Sequence, residues 1–318
     1  MDQSSKLPSK FSLRASDGYP LHGFVWRHAA AEVGAARPLA IINPATSVRC
    51  RYYAPFAAYL HGHGFDVISY DYRGIGESRP ASLRGFKASW VDWGRLDFEA
   101  VLNHAAADFP GQPIHVVAHS IGGFIIGLAP SCQRIARIFT MGSQFAYWRD
   151  YEPRQRFGML LKWHVLMPLV TELLGYFPAK RLGWMEDTPK GVVRNWSVSH
   201  RRFEQRWRQP AEGQRAMQHF AAVTAPILAV SASDDQFGTV AAIERLLGYY
   251  SGSPHRHVRI APAMIGESEL GHFSFFHSRF ERRLWPLPLH WLRHGEVPAE
   301  FGPALLAPAE RRVMGLAQ

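Results

Sequence analysis

Cysteine is scarce in this chain. The two cysteines, Cys50 and Cys132, stand far apart and outside any Cys-x-x-Cys or histidine-rich spacing, which argues against a disulfide framework and against a zinc site. Both read as small core or boundary residues. No uninterrupted apolar run reaches the roughly 18 residues of a membrane span. The stretch from Met1 to Lys10 is polar and holds no apolar segment of the type an export signal needs, which predicts a cytoplasmic protein without a transmembrane segment. Internal repeats and low-complexity segments are absent. Acidic residues are few beside the basic ones, 26 against 36, giving a net charge of +10.

That charge raises nucleic acid or an anionic surface as partners. The densest basic stretch, Ser199 to Arg208, interleaves Arg201, Arg202, Arg206 and Arg208 with Phe203 and Trp207, a composition that can hold phosphates and stack on bases. No helix-turn-helix, RNA-recognition or zinc-finger signature accompanies it. The stretch reads as a solvated helix face with arginine stems over an apolar surface, which argues against a nucleic-acid partner.

What is present is a chain of 318 residues, 47% hydrophobic, long enough for two domains or for one large domain with an insertion. Short apolar strands are predicted at Leu39–Ile42, Phe65–Tyr70, from Ile114, at Ile135–Met141, Ile227–Ser231 and Arg256–Ile260. Helical patterns lie between them at Tyr52–His61, Trp90–Ala107 and Val240–Tyr249. This alternation predicts an α/β fold with a mainly parallel sheet covered on both faces, whose chemistry sits at the carboxyl ends of the strands. Between Gln144 and Thr224 the alternation stops in favour of helical patterning without a clear strand, an expected insertion. There, Arg156–Phe177 is strongly apolar but interrupted by Lys162 and Pro168, and reads as a buried or lid helix rather than a span, with contact between an exposed apolar face and lipid as the alternative. The tail after Gly295, with Pro298, Pro303 and Pro308, reads as an extension.

The segment Ile114 to Gly123 reads as a buried strand turning sharply into a helix with Ser120 at the bend. Taken alone, Ser120 also reads as the N-cap of a helix beginning near Ile121. The pattern Ala118-His119-Ser120-Ile121-Gly122 is small-x-Ser-x-Gly, the nucleophile elbow, with Ala118 where glycine is commonest. A serine hydroxyl needs a base within hydrogen-bond reach and an acid to orient that base. Asp234-Asp235 follows the strand from Ile227, and His272 lies in Leu270–Phe276 beyond the next strand, so Ser, Asp and His occur in the order this type of site uses. Asp235 is the expected acid, with its neighbour capping the helix near Thr239, and His272 the expected base. His61, His63, His115, His200, His255 and His277 read as surface or turn residues, and His119 as a structural brace beneath the elbow. Two oxyanion donors are expected: the N–H of Ile121, and one from the loop after Ile42, where Asn43-Pro44-Ala45-Thr46 offers Ala45 or Thr46, with Ala45 taken as the donor and Thr46 as pocket wall.

Through Tyr70 to Ser78, Ala118 to Gly123, Asp234 to Phe237 and Gly271 to Phe273, the chain resembles an α/β-hydrolase up to about Arg293. The runs Ser82–Phe86, Trp163–Pro168 and Gly271–Phe276 are similar to a predicted branch of that family. The resemblance implies a serine hydrolase core, a helical cap between the sixth and seventh strands, and neither metal nor organic cofactor. Residues 1–143 and 225–294 are then the core, 144–224 the cap and 295–318 a C-terminal extension. Serine rather than aspartate as nucleophile sets aside chemistries that need an aspartyl ester. The expected activity is hydrolysis of a carboxylic ester on a small-molecule acyl substrate, in a pocket walled by Phe145, Tyr147, Trp148, Trp163, Met167 and Trp184 under a lid able to move. Two alternatives stay open. One is a thioesterase or acyltransferase that seats coenzyme A or carrier-protein phosphates on Arg201, Arg202, Arg206 and Arg208. The other is a non-catalytic member binding a ligand or polyanion. A homodimer is also left open.

Overall fold

The structure, a computed structural model, describes residues 7–29 and 37–307. Its centre is an eight-stranded sheet: β1 (Ser9–Arg14), β2 (Pro20–Trp26), β3 (Leu39–Asn43), β4 (Asp66–Tyr70), β5 (Ile114–His119), β6 (Ile135–Met141), β7 (Ile227–Ala232) and β8 (His255–Ile260). The spatial order is β1-β2-β4-β3-β5-β6-β7-β8. β3 to β8 are parallel, and only the β1–β2 and β2–β4 pairings are antiparallel. Every residue of β3, β4, β5 and β7 is buried, as continuous apolar runs require when helices cover both faces.

Alternate strand residues feed two cores. Leu39, Ile41, Val116 and Ala118 join the helices Glu99–Asp108, Ile121–Ile126 and Val240–Leu247 on one face. Ala40, Ile42 and Val117 join Ala54–Gly62 and Pro286–His294 on the other. The β1–β2 hairpin carries no strong sequence signal, because its apolar alternation is short and Phe11 and Leu13 are only half-buried. His61 and His115 are buried rather than at the surface or in turns: His61 Nδ1 bonds the Phe65 carbonyl, and His115 lies inside β5.

The segment between β6 and β7 rises over the carboxyl ends of the strands as helical pieces, the longest being Arg156–Leu174. It also contains a two-stranded ladder, Tyr176–Phe177 with Thr188–Pro189, which helical patterning did not anticipate because each strand is only two residues long. This segment is fastened to the rest of the chain by the Asp150–Arg245 and Arg79–Asp187 ion pairs, by Glu152 N–H to the Gln236 carbonyl (3.1 Å), and by Ser47 and Thr188 hydroxyls 2.6 Å apart. The tail is tied down at Leu305, which bridges to Val258, and residues 308–318 of the expected extension, Pro308 included, lie outside the described residues.

Candidate active site

β5 ends at His119, and the chain reverses into the helix Ile121–Ile126 within a single residue. That forces Ser120 to φ 53°, ψ −122°, a left-handed conformation that disfavours side chains, and the Ser120 N–H is pinned to the Met141 carbonyl at 2.9 Å. The elbow helix approaches the end of β3 so closely that a Cβ at position 122 would lie 2.4 Å from the Asn43 carbonyl oxygen, which explains Gly122. Asn43 couples the two elements by donating Nδ2 to the Gly122 carbonyl at 3.4 Å, and its Oδ1 accepts from Tyr70 Oη of β4 at 2.9 Å.

Three of the residues named from sequence meet at this bend. Ser120 Oγ lies 2.9 Å from His272 Nε2, and His272 Nδ1 lies 2.7 Å from Asp235 Oδ2. All three are buried, each less than a tenth exposed. The other Asp235 oxygen, Oδ1, accepts the N–H groups of Phe237 and Gly238, both at 2.8 Å. Burial pushes the Asp235 pKa up, but the His272 ring and these two amides outweigh it and hold the carboxyl below its usual value. Positions 142 and 238 must be small, since a Cβ at either would crowd Asp235 Oδ2, at 2.9 and 2.5 Å.

Asp234 does not cap the next helix. Its Oδ2 takes the N–H groups of Leu270 and Gly271, at 2.9 and 3.0 Å, and so holds the loop that carries His272, while Thr239 caps its own helix by accepting from Ala242 N–H.

The oxyanion assignment on the β3 loop needs correction. Ala45 N–H is not free: it donates to Tyr53 Oη at 2.9 Å. Tyr53 Oη is also 2.8 Å from His119 Nδ1, and His119 Nε2 is 2.9 Å from the His272 carbonyl oxygen. Burial first, and then the nearby His272 ring, push the His119 pKa down to about 3, so the ring is neutral. A carbonyl can only accept, so Nε2 carries the proton; Nδ1 then accepts from the Tyr53 hydroxyl, whose oxygen accepts from Ala45. One buried relay therefore ties the β3 loop, the elbow and the His272 loop together. By contrast, the N–H groups of Thr46 and Ile121 have no acceptor among the described residues. Replacing Tyr53 by Phe strands the Ala45 N–H and His119 Nδ1. It is expected to lower unfolding stability by about 1–3 kcal/mol in urea titration, and an unchanged midpoint would contradict the relay.

Above Ser120 lies a cavity of about 240 Å³ lined by Ala45, Thr46, Gln144, Lys162, Trp163, Trp184, Met185, Trp196, Gln236, Phe237, His272 and Phe273. Thr46, Trp163 and Trp184 are therefore walls, as expected. Phe145, Tyr147, Trp148 and Met167 are not. Phe145 is buried among Phe124, Phe203 and Tyr249, Tyr147 lies under Arg245, Trp148 under Arg149, and Met167 in the core below. Trp196, Phe237 and Lys162 also line the cavity, although the sequence reading did not place them in the pocket wall. Phe237 stands two residues after the acid, and Lys162 precedes Trp163, with its ammonium 3.8 Å from the centre of the Trp184 ring. Arg201, Arg202, Arg206 and Arg208 are absent from the lining. Arg206 bonds the carbonyls of Phe203, Asn195 and Val198, and Arg202 pairs with Glu204.

The sequence model of the Hydrolase_4 family, described as serine aminopeptidase S33, matches residues 41–264. The chain belongs to this family of α/β-hydrolases. The match includes Ser120 and Asp235 and stops short of His272. A comparison with curated proteins finds no match. Among solved structures this α/β-hydrolase is similar to a soluble variant of monoglyceride lipase from Saccharomyces cerevisiae bound to a substrate analogue (TM-score 0.64, 14% identity, 94% of this chain and 98% of that one). It is also similar to a highly thermostable carboxyl esterase from Bacillus coagulans (0.59, 11%, 90% and 98%) and to an esterase from Pyrococcus furiosus (0.56, 14%, 91% and 92%). At these identities the likeness is one of fold: a mostly parallel eight-stranded sheet with flanking helices.

Proposed function

We propose that this α/β-hydrolase is a serine hydrolase that cleaves a carboxylic ester through an acyl-enzyme on Ser120. The observation that carries the reading is the chain from Ser120 Oγ to His272 (2.9 Å) to an ionised, buried Asp235 (2.7 Å). Ser120 Oγ attacks the ester carbonyl carbon as its proton passes to His272 Nε2, and Asp235 stabilises the imidazolium that results. The N–H groups of Ile121 and Thr46 receive the oxyanion. Collapse expels the alcohol, which takes the proton from Nε2; water then repeats the sequence on the acyl-enzyme and frees the acid. Trp163, Trp184, Trp196 and Phe237 give the pocket an aromatic wall, which favours an apolar or aromatic acyl group of modest size. Esterases and a lipase among the structural neighbours are consistent with this reaction class.

The thioester alternative keeps only Arg201 and Arg208 of the four arginines that motivated it, since Arg202 and Arg206 are committed to Glu204 and to backbone carbonyls, and none of the four lines the cavity. The test is a fluorophosphonate probe, expected to modify Ser120 as read by mass spectrometry of the labelled peptide, followed by turnover of one acyl group presented as a simple ester and as its coenzyme A thioester. Faster thioester turnover that falls with added salt would move the assignment to the alternative. Failure to label would leave a ligand-binding protein.

A further inference from the structure

The cap helix Arg156–Leu174 is apolar on two opposite faces. One stripe, Met159, Trp163, Met167 and Thr171, packs inward against the cap and pocket, as a lid helix should. The other, Phe157, Leu161, Val165, Leu169 and Leu173, faces solvent, with Phe157 76% and Leu173 85% exposed. Both stripes advance by four residues. The middle of the helix, Leu160–Leu166, is wound as a π-helix, and its wider turn keeps residues four apart near one line where an α-helix would rotate them away. The sequence expectation of a buried or lid helix thus describes only half of it. A row of five large apolar side chains open to water is far more than scattered surface hydrophobics, and it calls for a partner.

Charge identifies the partner. The cap carries 13 of the chain's 36 lysines and arginines but only 7 of its 26 acids between 144 and 224. Arg154, Lys180 and Arg181 are exposed, and none of them, nor Lys162, forms an ion pair among the described residues. Lys180 and Arg181 lead directly into exposed Leu182 and Trp184, and the Trp184 ring lies 5.6 Å from Trp163 of the inward stripe and 3.8 Å from the Lys162 ammonium, so this basic, apolar loop lies against the same helix on its Lys162 side. A second copy of the chain would set like charges against each other across a two-fold contact. A spanning helix would have to pull Trp163 and Met167 out of the cap. A lipid surface accepts both features, with side chains sinking to the acyl boundary and cations resting among anionic head groups.

We infer that the exposed stripe from Phe157 to Leu173, with its flanking lysines and arginines, docks the cap onto an anionic phospholipid bilayer. Because Lys162 and Trp184 belong to both the patch and the cavity wall, docking brings the mouth of the cavity to the lipid surface. The inference concerns binding and stands independently of the proposed chemistry.

The experiment is cosedimentation of the full chain with vesicles of phosphatidylcholine, with and without phosphatidylglycerol. Wild type and Ser120→Ala are both expected to pellet with the phosphatidylglycerol vesicles and to be released by high salt, which screens exposed charges. A Leu161→Ser, Leu169→Ser, Leu173→Ser variant is expected to lose at least about tenfold in vesicle affinity, as removal of most of the inserted apolar area requires, while turning over a short soluble ester like wild type. Lys180→Glu with Arg181→Glu, which leaves the apolar stripe intact, is expected to lose the preference for phosphatidylglycerol. Wild type remaining in the supernatant, equal binding to both vesicle types, or serine variants that bind undiminished would each overturn the inference. So would a dimer in size-exclusion chromatography that the serine variant converts to monomer, which would assign the stripe to a second copy of the chain.

Discussion

Ser120→Ala is expected to lower kcat toward a short p-nitrophenyl ester by roughly 10⁵- to 10⁶-fold, the loss typical when a serine nucleophile that works as one unit with its base is removed. Nothing nearby can take its place. The other polar groups lining the cavity are Thr46, Gln144, Lys162 and Gln236 beside His272 itself, and among the described residues the only side chain bonded to His272 Nε2 is that of Ser120. The substitution removes one buried hydroxyl and leaves the Ser120 backbone bond to Met141 intact, so the thermal midpoint should stay close to wild type. Turnover of the ester by purified variant and wild type, with circular dichroism as the fold control, decides the matter. A variant retaining a tenth of wild-type kcat would remove Ser120 from the chemistry.

Asp235→Asn should be nearly as damaging, at about 10⁴-fold in kcat, because it changes which ring nitrogen of His272 carries the proton. The reasoning follows from the two sides of the carboxylate. Oδ1 faces the N–H groups of Phe237 and Gly238, so in the asparagine this position must remain the carbonyl oxygen. The amide nitrogen is thereby forced to the Oδ2 position, opposite His272 Nδ1. An NH₂ group donates, so Nδ1 must accept, and the imidazole proton moves to Nε2. There it points at Ser120 Oγ and cannot receive the hydroxyl proton. The size and the local bonding of the side chain are preserved, so the loss should fall on kcat with KM little changed. A variant with wild-type kcat would show that His272 does not depend on Asp235.

Much of this was legible in the chain because the signals are local. β3 to β7 announce themselves as apolar runs, since parallel strands covered on both faces need no polar side, and a serine between a strand and two glycines marks a bend whatever surrounds it. Asp235 and His272 could be named because each follows a strand, and the structure joins them to Ser120. The misreadings have the opposite character. Whether Ala45 or Thr46 offers a free N–H depends on the hydroxyl of Tyr53, which reaches back from the turn after the loop, and no spacing rule reports that contact. The large apolar residues between β6 and β7 were countable but not orientable: Trp163 and Met167 share one stripe, yet of the two Trp163 lines the cavity and Met167 does not. Lys162 was passed over because a lysine in a helix usually faces water.

The bend at Ser120 has a further consequence for how this protein can be improved. A serine held at positive φ costs on the order of 1–3 kcal/mol, a large share of the margin by which any domain stays folded. Glycine would relax that conformation, so a screen for heat resistance alone would be drawn toward Ser120→Gly and would return a sturdier protein with no nucleophile. Stabilisation that keeps the chemistry has to be sought away from the elbow, and selection on melting temperature needs an activity filter from its first round.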